Sequence, residues 1–162
     1  LDRARVLPAA GHAVVVDLAT QRLFMLQDGQ VVDEMRVIVG KPDMATPLMA
    51  GTVSAITFNP YWNVPVDLAQ KNIAPNVLRH GPKWLSDKGY EVLASWNEPA
   101  EVIDPATVDW QAVADRKAEV RVRQKPGHHN QMGGLKIAFP NQLGIFLHDT
   151  PERDLFNQSQ RA

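Results

Sequence analysis

Short β-branched and apolar segments that alternate with turn-forming residues occupy the first third of the chain, and they constrain its fold most. Residues 12–17 and 21–26 are two such segments, and Asp28-Gly29, a dipeptide typical of tight hairpins, separates them from residues 31–39. Residues 53–58 follow after a loop interrupted by glycine and proline. The pattern predicts a β-meander and, in all, four strands before residue 60.

The middle of the chain changes to mixed patterns. Apolar residues at helical spacing predict a helix over 66–78 and another over 83–90, and a capping-type residue near Thr107 predicts a helical turn over 109–113. We therefore expect residues 66–118 to form an insertion folded over one end of the sheet. Long mixed connections of this kind more often serve as a lid or binding loop than as filler.

Strand patterns return after residue 118. Val120 and Val122 alternate with arginines, which predicts a strand over 120–124 with one face in the core. Turn residues separate two further predicted strands, over 135–139 and 144–147. The chain has no internal repeat, so it is predicted to be one mostly β domain that carries the insertion.

Composition and charge exclude several classes of partner. The 162 residues include 17 basic and 18 acidic ones, for a net charge of -1, and no basic block could neutralise a nucleic-acid backbone. No apolar run reaches the roughly 18 residues that span a membrane, and Leu1-Asp2-Arg3 does not read as the start of a signal peptide, so we expect a mature or excised fragment. The absence of cysteine removes disulfides and thiol chemistry from the residues given.

The clearest catalytic pattern is the apolar run that ends in His148-Asp149-Thr150-Pro151. Such a strand can place an imidazole at the mouth of a sheet, where it acts as a general base or as the partner of a nucleophile. A core histidine satisfied by a local hydrogen bond is the alternative. His128-His129 also raises a metal site, but adjacent histidines point in different directions and no third ligand stands at a familiar spacing.

Five stretches of the sequence, in this order and spacing, form a recognisable pattern. They are Val37-Ile38-Val39-Gly40-Lys41-Pro42 with Thr46-Pro47, Asn59-Pro60-Tyr61-Trp62-Asn63-Val64-Pro65, Arg123-Gln124 with Pro126-Gly127 and Asn130, Phe139-Pro140-Asn141, and Leu147-His148-Asp149-Thr150-Pro151 with Leu155-Phe156. Together they resemble the catalytic domain of the L,D-transpeptidases, the YkuD-type cell-wall enzymes. The resemblance is closest to the larger periplasmic members of Gram-negative bacteria, and it implies a β-sandwich of mixed strands with an inserted helical lid or capping subdomain over residues 66–118 of a single domain, 1–162.

One part of the family pattern is missing. In the family a Ser/His-Gly-Cys segment follows the histidine loop and supplies the nucleophile, whereas this chain reaches Ala162 first. We expect a chain cut short of that segment, and a pseudoenzyme without the thiol is the alternative. The segment should form a strand beside that of His148, so its absence would leave an unpaired edge and exposed apolar surface.

The resemblance implies acyl transfer without a cofactor. A cysteine thiolate would attack the carbonyl between the diamino acid and the terminal D-alanine of a peptidoglycan tetrapeptide stem, and the acyl group would pass to an amine. His148 would take the thiol proton, and the Asp149-Thr150 turn would fix its tautomer. His148 and Asp149 are therefore the predicted catalytic residues, and this chain alone is expected to be inactive without the cysteine.

The resemblance also suggests residues that contact the stem peptide. Phe146 alternates onto the side of its strand that carries the imidazole. Tyr61 and Trp62 could wall a cleft or serve as packing anchors, and Arg123 could bind a carboxylate of the diamino acid or, as we favour, a loop carboxylate of its own protein. The predicted substrate-binding residues are Phe146, Tyr61, Trp62, Arg123 and Thr150.

The implied partners are peptidoglycan stem peptides and an acceptor, either a second stem or a lipoprotein, in the periplasm. A carbapenem is expected to acylate the family's cysteine. An alternative of a different class is a non-catalytic module that binds peptidoglycan or a partner protein on the same scaffold. A weaker alternative is a metal-dependent peptidase that uses His148 with His128 or His129.

Overall fold

The computed structural model describes residues 10–161, so the expectations for Leu1-Asp2-Arg3 and Ala162 lie outside the described residues. The chain forms two compact units, residues 10–51 with 152–161 and residues 52–151. The described part contains ten strands in three sheets and four short α-helices, which confirms the prediction of a mostly β fold. The single domain over 1–162 and the lid over 66–118 stay predictions.

The first unit contains an antiparallel meander of three strands. Asp28 and Gly29, both at positive φ (50° and 76°), form the tight hairpin turn that the sequence predicts. The Asp28 carboxylate extends the pairing by accepting a hydrogen bond from the N–H of Gly11 at 2.7 Å. The strands are β1 (His12–Asp17), β2 (Arg22–Gln27) and β3 (Gln30–Arg36), in the order β1-β2-β3.

A buried arginine explains why β3 ends at Arg36 rather than at the predicted residue 39. The guanidinium of Arg161 donates hydrogen bonds to the carbonyl oxygens of Val37 (3.1 Å), Gln21 (3.0 Å) and Gln158 (2.9 Å), and the Arg161 carbonyl accepts one from the N–H of Val39 at 2.8 Å. The N–H of Val37 still donates to the carbonyl of Gln21 at 3.0 Å, but the carbonyl of Val37 and the N–H of Val39 bond to Arg161, so the pairing with β2 does not continue to residue 39. A 3-10 helix, Arg153–Asn157, precedes this segment.

The second unit contains the other two sheets. The smaller one has the order β10-β9-β4, and all of its neighbours are antiparallel. One of its faces carries Ile56 and Phe58, which are 56% and 75% exposed. The strands are β4 (Ala55–Phe58), β9 (Leu135–Ala138) and β10 (Leu147–His148).

The predicted strand over 144–147 is wrong in its bounds, because β10 begins only at Leu147. Asn141 is the physical reason. Its amide donates to the carbonyl of Ile145 at 2.6 Å and its side-chain oxygen accepts from the N–H of Ile145 at 3.0 Å, while Gly144 adopts a φ of 64°. The backbone of residues 141–145 is thus engaged in a turn and is not available to the sheet.

The larger sheet of the second unit has the order β5-β8-β6-β7. It joins strands from both sides of the predicted insertion, because β8 pairs with β5 on one edge and with β6 on the other. Val122 of β8 and Val92 of β6 are fully buried, as the alternation around Val120 predicts. The strands are β5 (Trp62–Asn63), β6 (Tyr90–Leu93), β7 (Val102–Ile103) and β8 (Arg121–Gln124).

The predicted helix over 66–78 forms as three joined helical segments. They are α1 (Val66–Leu68), a π-helical turn (Ala69–Ile73) and α2 (Ala74–His80). Pro75 lies at the start of α2, and the wider π turn before it accommodates a residue that cannot donate a backbone hydrogen bond. The second predicted helix is α3 (Lys83–Asp87), which ends before Gly89 at a φ of 74°.

The capping residue that the sequence predicts near Thr107 is Asp109. It caps α4 (Trp110–Ala114), because its carboxylate accepts a hydrogen bond from the N–H of Ala112 at 2.9 Å. Thr107 itself closes a 3-10 helix, Pro105–Thr107, that Asp104 caps.

One apolar cluster holds the helices on the larger sheet. Leu85, Val92, Val113 and Val122 lie at its centre with at most 1% of their surface exposed. Burial of such side chains stabilises the fold by about 1.5–3 kcal/mol each. The buried members are Val64, Ala69, Ile73, Ala74, Val77, Leu85, Val92, Trp110, Val113, Val120 and Val122.

Candidate active site

His148 is the last residue of β10, and its side chain is exposed. Its Nδ1 lies 2.5 Å from the carbonyl oxygen of Asp149. Because a carbonyl oxygen only accepts hydrogen bonds, Nδ1 must carry the proton in this contact, and Nε2 of the neutral ring is left with its lone pair. The ring is therefore held in the tautomer that a general base needs.

Asp149 is held in turn by the Gly133-Gly134 turn and by the first residue of β9. Its N–H donates to the carbonyl of Leu135 at 2.8 Å, and its carboxylate accepts from the N–H of Gly134 at 2.9 Å. Gly133 has a φ of 59°, and a Cβ at this position would lie 2.5 Å from Oδ2 of Asp149. A larger residue at position 133 would therefore displace the side chain of Asp149, the residue whose carbonyl contacts His148.

The ring of Phe146 lies beside His148. The two ring centroids are 6.0 Å apart and the ring planes meet at 67°, which is an edge-on contact. Nζ of Lys136 lies 4.1 Å from the centre of the Phe146 ring, a cation–π distance. Lys136 is also the direct cross-strand partner of His148 in the β9–β10 pair.

Two buried amide side chains shape the loop that leads to the Gly133-Gly134 turn. Asn130 is fully buried, and it donates to the carbonyl oxygens of Pro60 (3.0 Å) and Lys125 (2.9 Å) while its oxygen accepts from the N–H of Met132. Gln124 donates to the carbonyl of His129 at 2.9 Å and accepts from the N–H of Gln131. These bonds bind backbone groups of the loop 125–132, which explains the spacing of Gln124 and Asn130.

Tyr61, Trp62 and Arg123 lie around the larger sheet. Trp62 is half-buried and its ring centroid lies 6.4 Å from that of Tyr90, whose own pKa is raised by burial. Tyr61 is 48% exposed, and the guanidinium of Arg123 lies 4.5 Å from its ring centroid. The hydrogen bonds, ion pairs and ring contacts of the described residues do not link any of these three side chains to His148.

Arg123 shares its carboxylate partner with a lysine. Its Nε lies 2.9 Å from one oxygen of Glu91, and Nζ of Lys125 lies 3.0 Å from the other. Burial of Glu91 opposes its ionisation, but the hydrogen bonds and charges of Lys125 and Arg123 outweigh burial and lower the pKa of this carboxyl below its ordinary value. Glu91 lies on the neighbouring strand β6, so the carboxylate that meets Arg123 belongs to the sheet rather than to a loop.

The remaining residues considered in the sequence analysis are Thr150, His128 and His129. Thr150 is half-buried and follows Asp149 directly. The rings of His128 and His129 lie 3.9 Å apart on an exposed loop. Within residues 10–161, no three histidine, aspartate or glutamate side chains are grouped so that they could hold a metal ion. No helix in this range is both long and apolar enough to cross a membrane.

Sequence reasoning missed several residues of the site. Lys136 is the one charged residue of β9, whose sequence is otherwise apolar, and that was the available signal. Gly133-Gly134 was considered only as a phosphate loop, which it does not resemble, and its contact with Asp149 depends on tertiary structure. The paired register of β9 and β10 is what brings Lys136 beside His148.

The geometry places a histidine at the end of a strand that is an edge of the described sheet, with its Nδ1 against a backbone carbonyl, an arrangement in which an imidazole can act as the partner of a nucleophile. The family model of the L,D-transpeptidase catalytic domain (YkuD) matches residues 11–162. The chain belongs to this family.

A curated relative supports the assignment. The Haemophilus influenzae protein named "Putative L,D-transpeptidase" is 35% identical over 161 residues, which cover 99% of this chain. The same residues cover 32% of that protein, so the chain spans about a third of the length of the relative.

Proposed function

We propose that the chain provides the histidine half of a peptidoglycan L,D-transpeptidase site, of the periplasm or cell envelope. In the first step a cysteine thiolate forms a bond to the carbonyl carbon between the diamino acid and the terminal D-alanine of a tetrapeptide stem. The carbon–nitrogen bond breaks, and D-alanine leaves with the proton that the thiol gave to the imidazole. An acceptor amine then attacks the thioester, returns a proton to the imidazole and releases the thiolate.

One observation carries this proposal: the hydrogen bond from Nδ1 of His148 to the carbonyl of Asp149. It leaves Nε2 as the only ring nitrogen that can accept the thiol proton. The carbonyl is itself held by the bonds of Asp149 to Gly134 and Leu135, so the base is oriented before any substrate binds. His148 then acts as the base and Asp149 orients it.

The nucleophile is the part that the 162 residues do not contain, since they include no cysteine. We place it on a strand beside β10, because β10 pairs only with β9 among the described residues and so has one open edge. The oxyanion would be met by backbone N–H groups around that cysteine.

The predicted substrate residues divide into two groups in this proposal. Phe146 lies beside the imidazole, where it would contact the stem, and Thr150 lies just beyond Asp149. Tyr61, Trp62 and Arg123 would contact a more distant part of the stem, although the packing of Trp62 on Tyr90 and the pairing of Arg123 with Glu91 favour structural roles. The acceptor, a second stem or a lipoprotein, defines the product.

Mass spectrometry of the full-length gene product tests the proposal. We expect one covalent adduct after incubation with a carbapenem, and we expect the adduct to form much more slowly with His148→Ala. Because His148 is exposed, this variant should remain folded, which circular dichroism checks. A full-length protein that contains a cysteine after His148 but gains no adduct would contradict the proposal.

The absence of cysteine from these residues favours one second candidate, a module that binds peptidoglycan stems without cleaving them. Binding of a tetrapeptide stem, without release of D-alanine by the full-length protein, would support it. Release of D-alanine that depends on His148 would exclude it.

A further inference from the structure

Lys136 stands in an unusual electrostatic position for a lysine. Among the described residues it is the only lysine that is half-buried, and all the others are exposed. It forms no ion pair with any described carboxylate, and its one described contact is the face of Phe146 at 4.1 Å. A cation that gives up part of its hydration without gaining an anion is unfavourable unless an anion arrives later.

The sheet register places this cation beside the reactive centre. Thr57, Lys136 and His148 are consecutive partners across β4, β9 and β10, so they form one row on one face of the sheet. The ring of Phe146 contacts both the ammonium group and the imidazole. A peptide bound with its scissile carbonyl near His148 therefore passes within reach of Lys136.

The three basic residues on and next to β8 are already paired with carboxylates of the protein. Arg123 and Lys125 share Glu91, and Arg121 pairs with Glu98. Binding a substrate carboxylate at any of these positions would compete with a carboxylate of the protein itself. Lys136 has no such competitor among the described residues.

We propose that the ammonium group of Lys136 binds a carboxylate of the donor stem peptide next to the scissile bond, and so makes Lys136 a specificity-determining residue. This inference rests on the proposed function. A peptide rises about 3.3 Å per residue, so carboxylates on either side of the scissile bond can reach this point. They are the terminal carboxylate of the leaving D-alanine and the side-chain carboxylate of the diamino acid.

Substrate amidation combined with charge removal tests the proposal in the full-length protein. The substrates are a tetrapeptide stem, the same stem with a terminal carboxamide, and the same stem with the diamino acid amidated. The variants are Lys136→Met, Lys136→Arg and, as a matched control, Lys83→Met, whose lysine is exposed and paired with Asp87 on α3. The readout is kcat/KM for release of the terminal residue.

We expect the wild-type enzyme to lose about tenfold or more with one of the two amidated stems, the size of one charge-assisted hydrogen bond. Lys136→Met should lose as much with the unmodified stem and become insensitive to that amidation, while Lys136→Arg recovers part of the rate and Lys83→Met behaves as wild type. The amidation that matters identifies the carboxylate. If Lys136→Met responds to both amidations as the wild type does, the proposal is wrong.

Failure of the proposed function would give a different result. If wild-type protein releases no terminal residue, the same set of peptides and variants is measured by isothermal titration calorimetry. Binding should weaken about tenfold on amidation and about tenfold in Lys136→Met. If combining the two changes weakens binding no further than either alone, the result supports the carboxylate site without catalysis. Equal binding in every combination overturns it.

Discussion

The two sheets of the second unit differ in how much of their apolar surface is buried and in whether their charged side chains are paired. In the larger sheet Val92 and Val122 are fully buried, helices pack on the strands, and Arg123 and Lys125 both pair with Glu91. The smaller sheet exposes most of Phe58 and presents an open edge at β10. It also carries Lys136, which has no ion-pair partner among residues 10–161, and the exposed His148. The comparison indicates that stability resides mainly in the larger sheet, whereas the proposed chemistry belongs to the smaller one.

The largest expected effect comes from His148→Ala in the smaller sheet. Loss of the general base should lower kcat/KM for release of D-alanine by about 10²- to 10⁴-fold. The free energy of unfolding should change by no more than about 0.5 kcal/mol, because the side chain is exposed. Urea unfolding measures the free energy of unfolding of the variant. If His148→Ala loses its activity because it is unfolded, the comparison fails.

Leu85→Ala should show the opposite pattern. Leu85 is fully buried between α3 and the larger sheet, so the substitution should lower the free energy of unfolding by about 2–5 kcal/mol. Leu78→Ala is the control, since Leu78 is half exposed at 49% and should cost much less. Urea unfolding of both variants measures the difference, and equal costs would contradict the assigned core.

Gly133→Ala should change both the stability of the fold and the activity of the site. We expect a loss of about 2 kcal/mol in stability and of about ten- to a hundredfold in kcat/KM, because the new Cβ displaces Asp149 and with it the carbonyl that orients His148. Gly144→Ala is a matched control, because Gly144 has a similar φ of 64° but no described atom within 4 Å of its Cβ position. If both variants lose the same activity, the contact with Asp149 does not matter.

The smallest effect is expected at Glu91, and it depends on pH. The pKa of Glu91 is lower in the folded than in the unfolded state, so its ionised form stabilises the fold above the unfolded pKa. Glu91→Gln should therefore cost about 1 kcal/mol at neutral pH, and the difference from wild type should shrink as pH falls through the folded pKa.

Exposed Glu119→Gln serves as the control for Glu91→Gln. Urea unfolding of both variants at neutral and acidic pH measures the two differences. A difference for Glu91→Gln that grows in acid would contradict the assigned sign.

The strand pattern of the sequence was sufficient for the mostly β fold, because alternation and turn residues are local signals. The short β10 was not predictable, since Asn141 competes for the backbone of residues 143–145 through side-chain bonds that periodicity does not encode. His148 was identified from its motif, whereas Lys136 required the register between β9 and β10. Cross-strand neighbours far apart in sequence are the part of the site that a single sequence does not reveal.

Arg161 has a consequence for how the first unit tolerates change. Its guanidinium binds three main-chain oxygens and, within residues 10–161, no carboxylate. The residues that accept these bonds therefore contribute through their backbone carbonyls rather than through their side chains. Val37 and Gln158 can therefore be exchanged for most other residues without loss of the bonds, while Arg161 has no substitute with the same planar fork of donors. We therefore expect Arg161 to be retained among homologues, while Val37 and Gln158 vary freely.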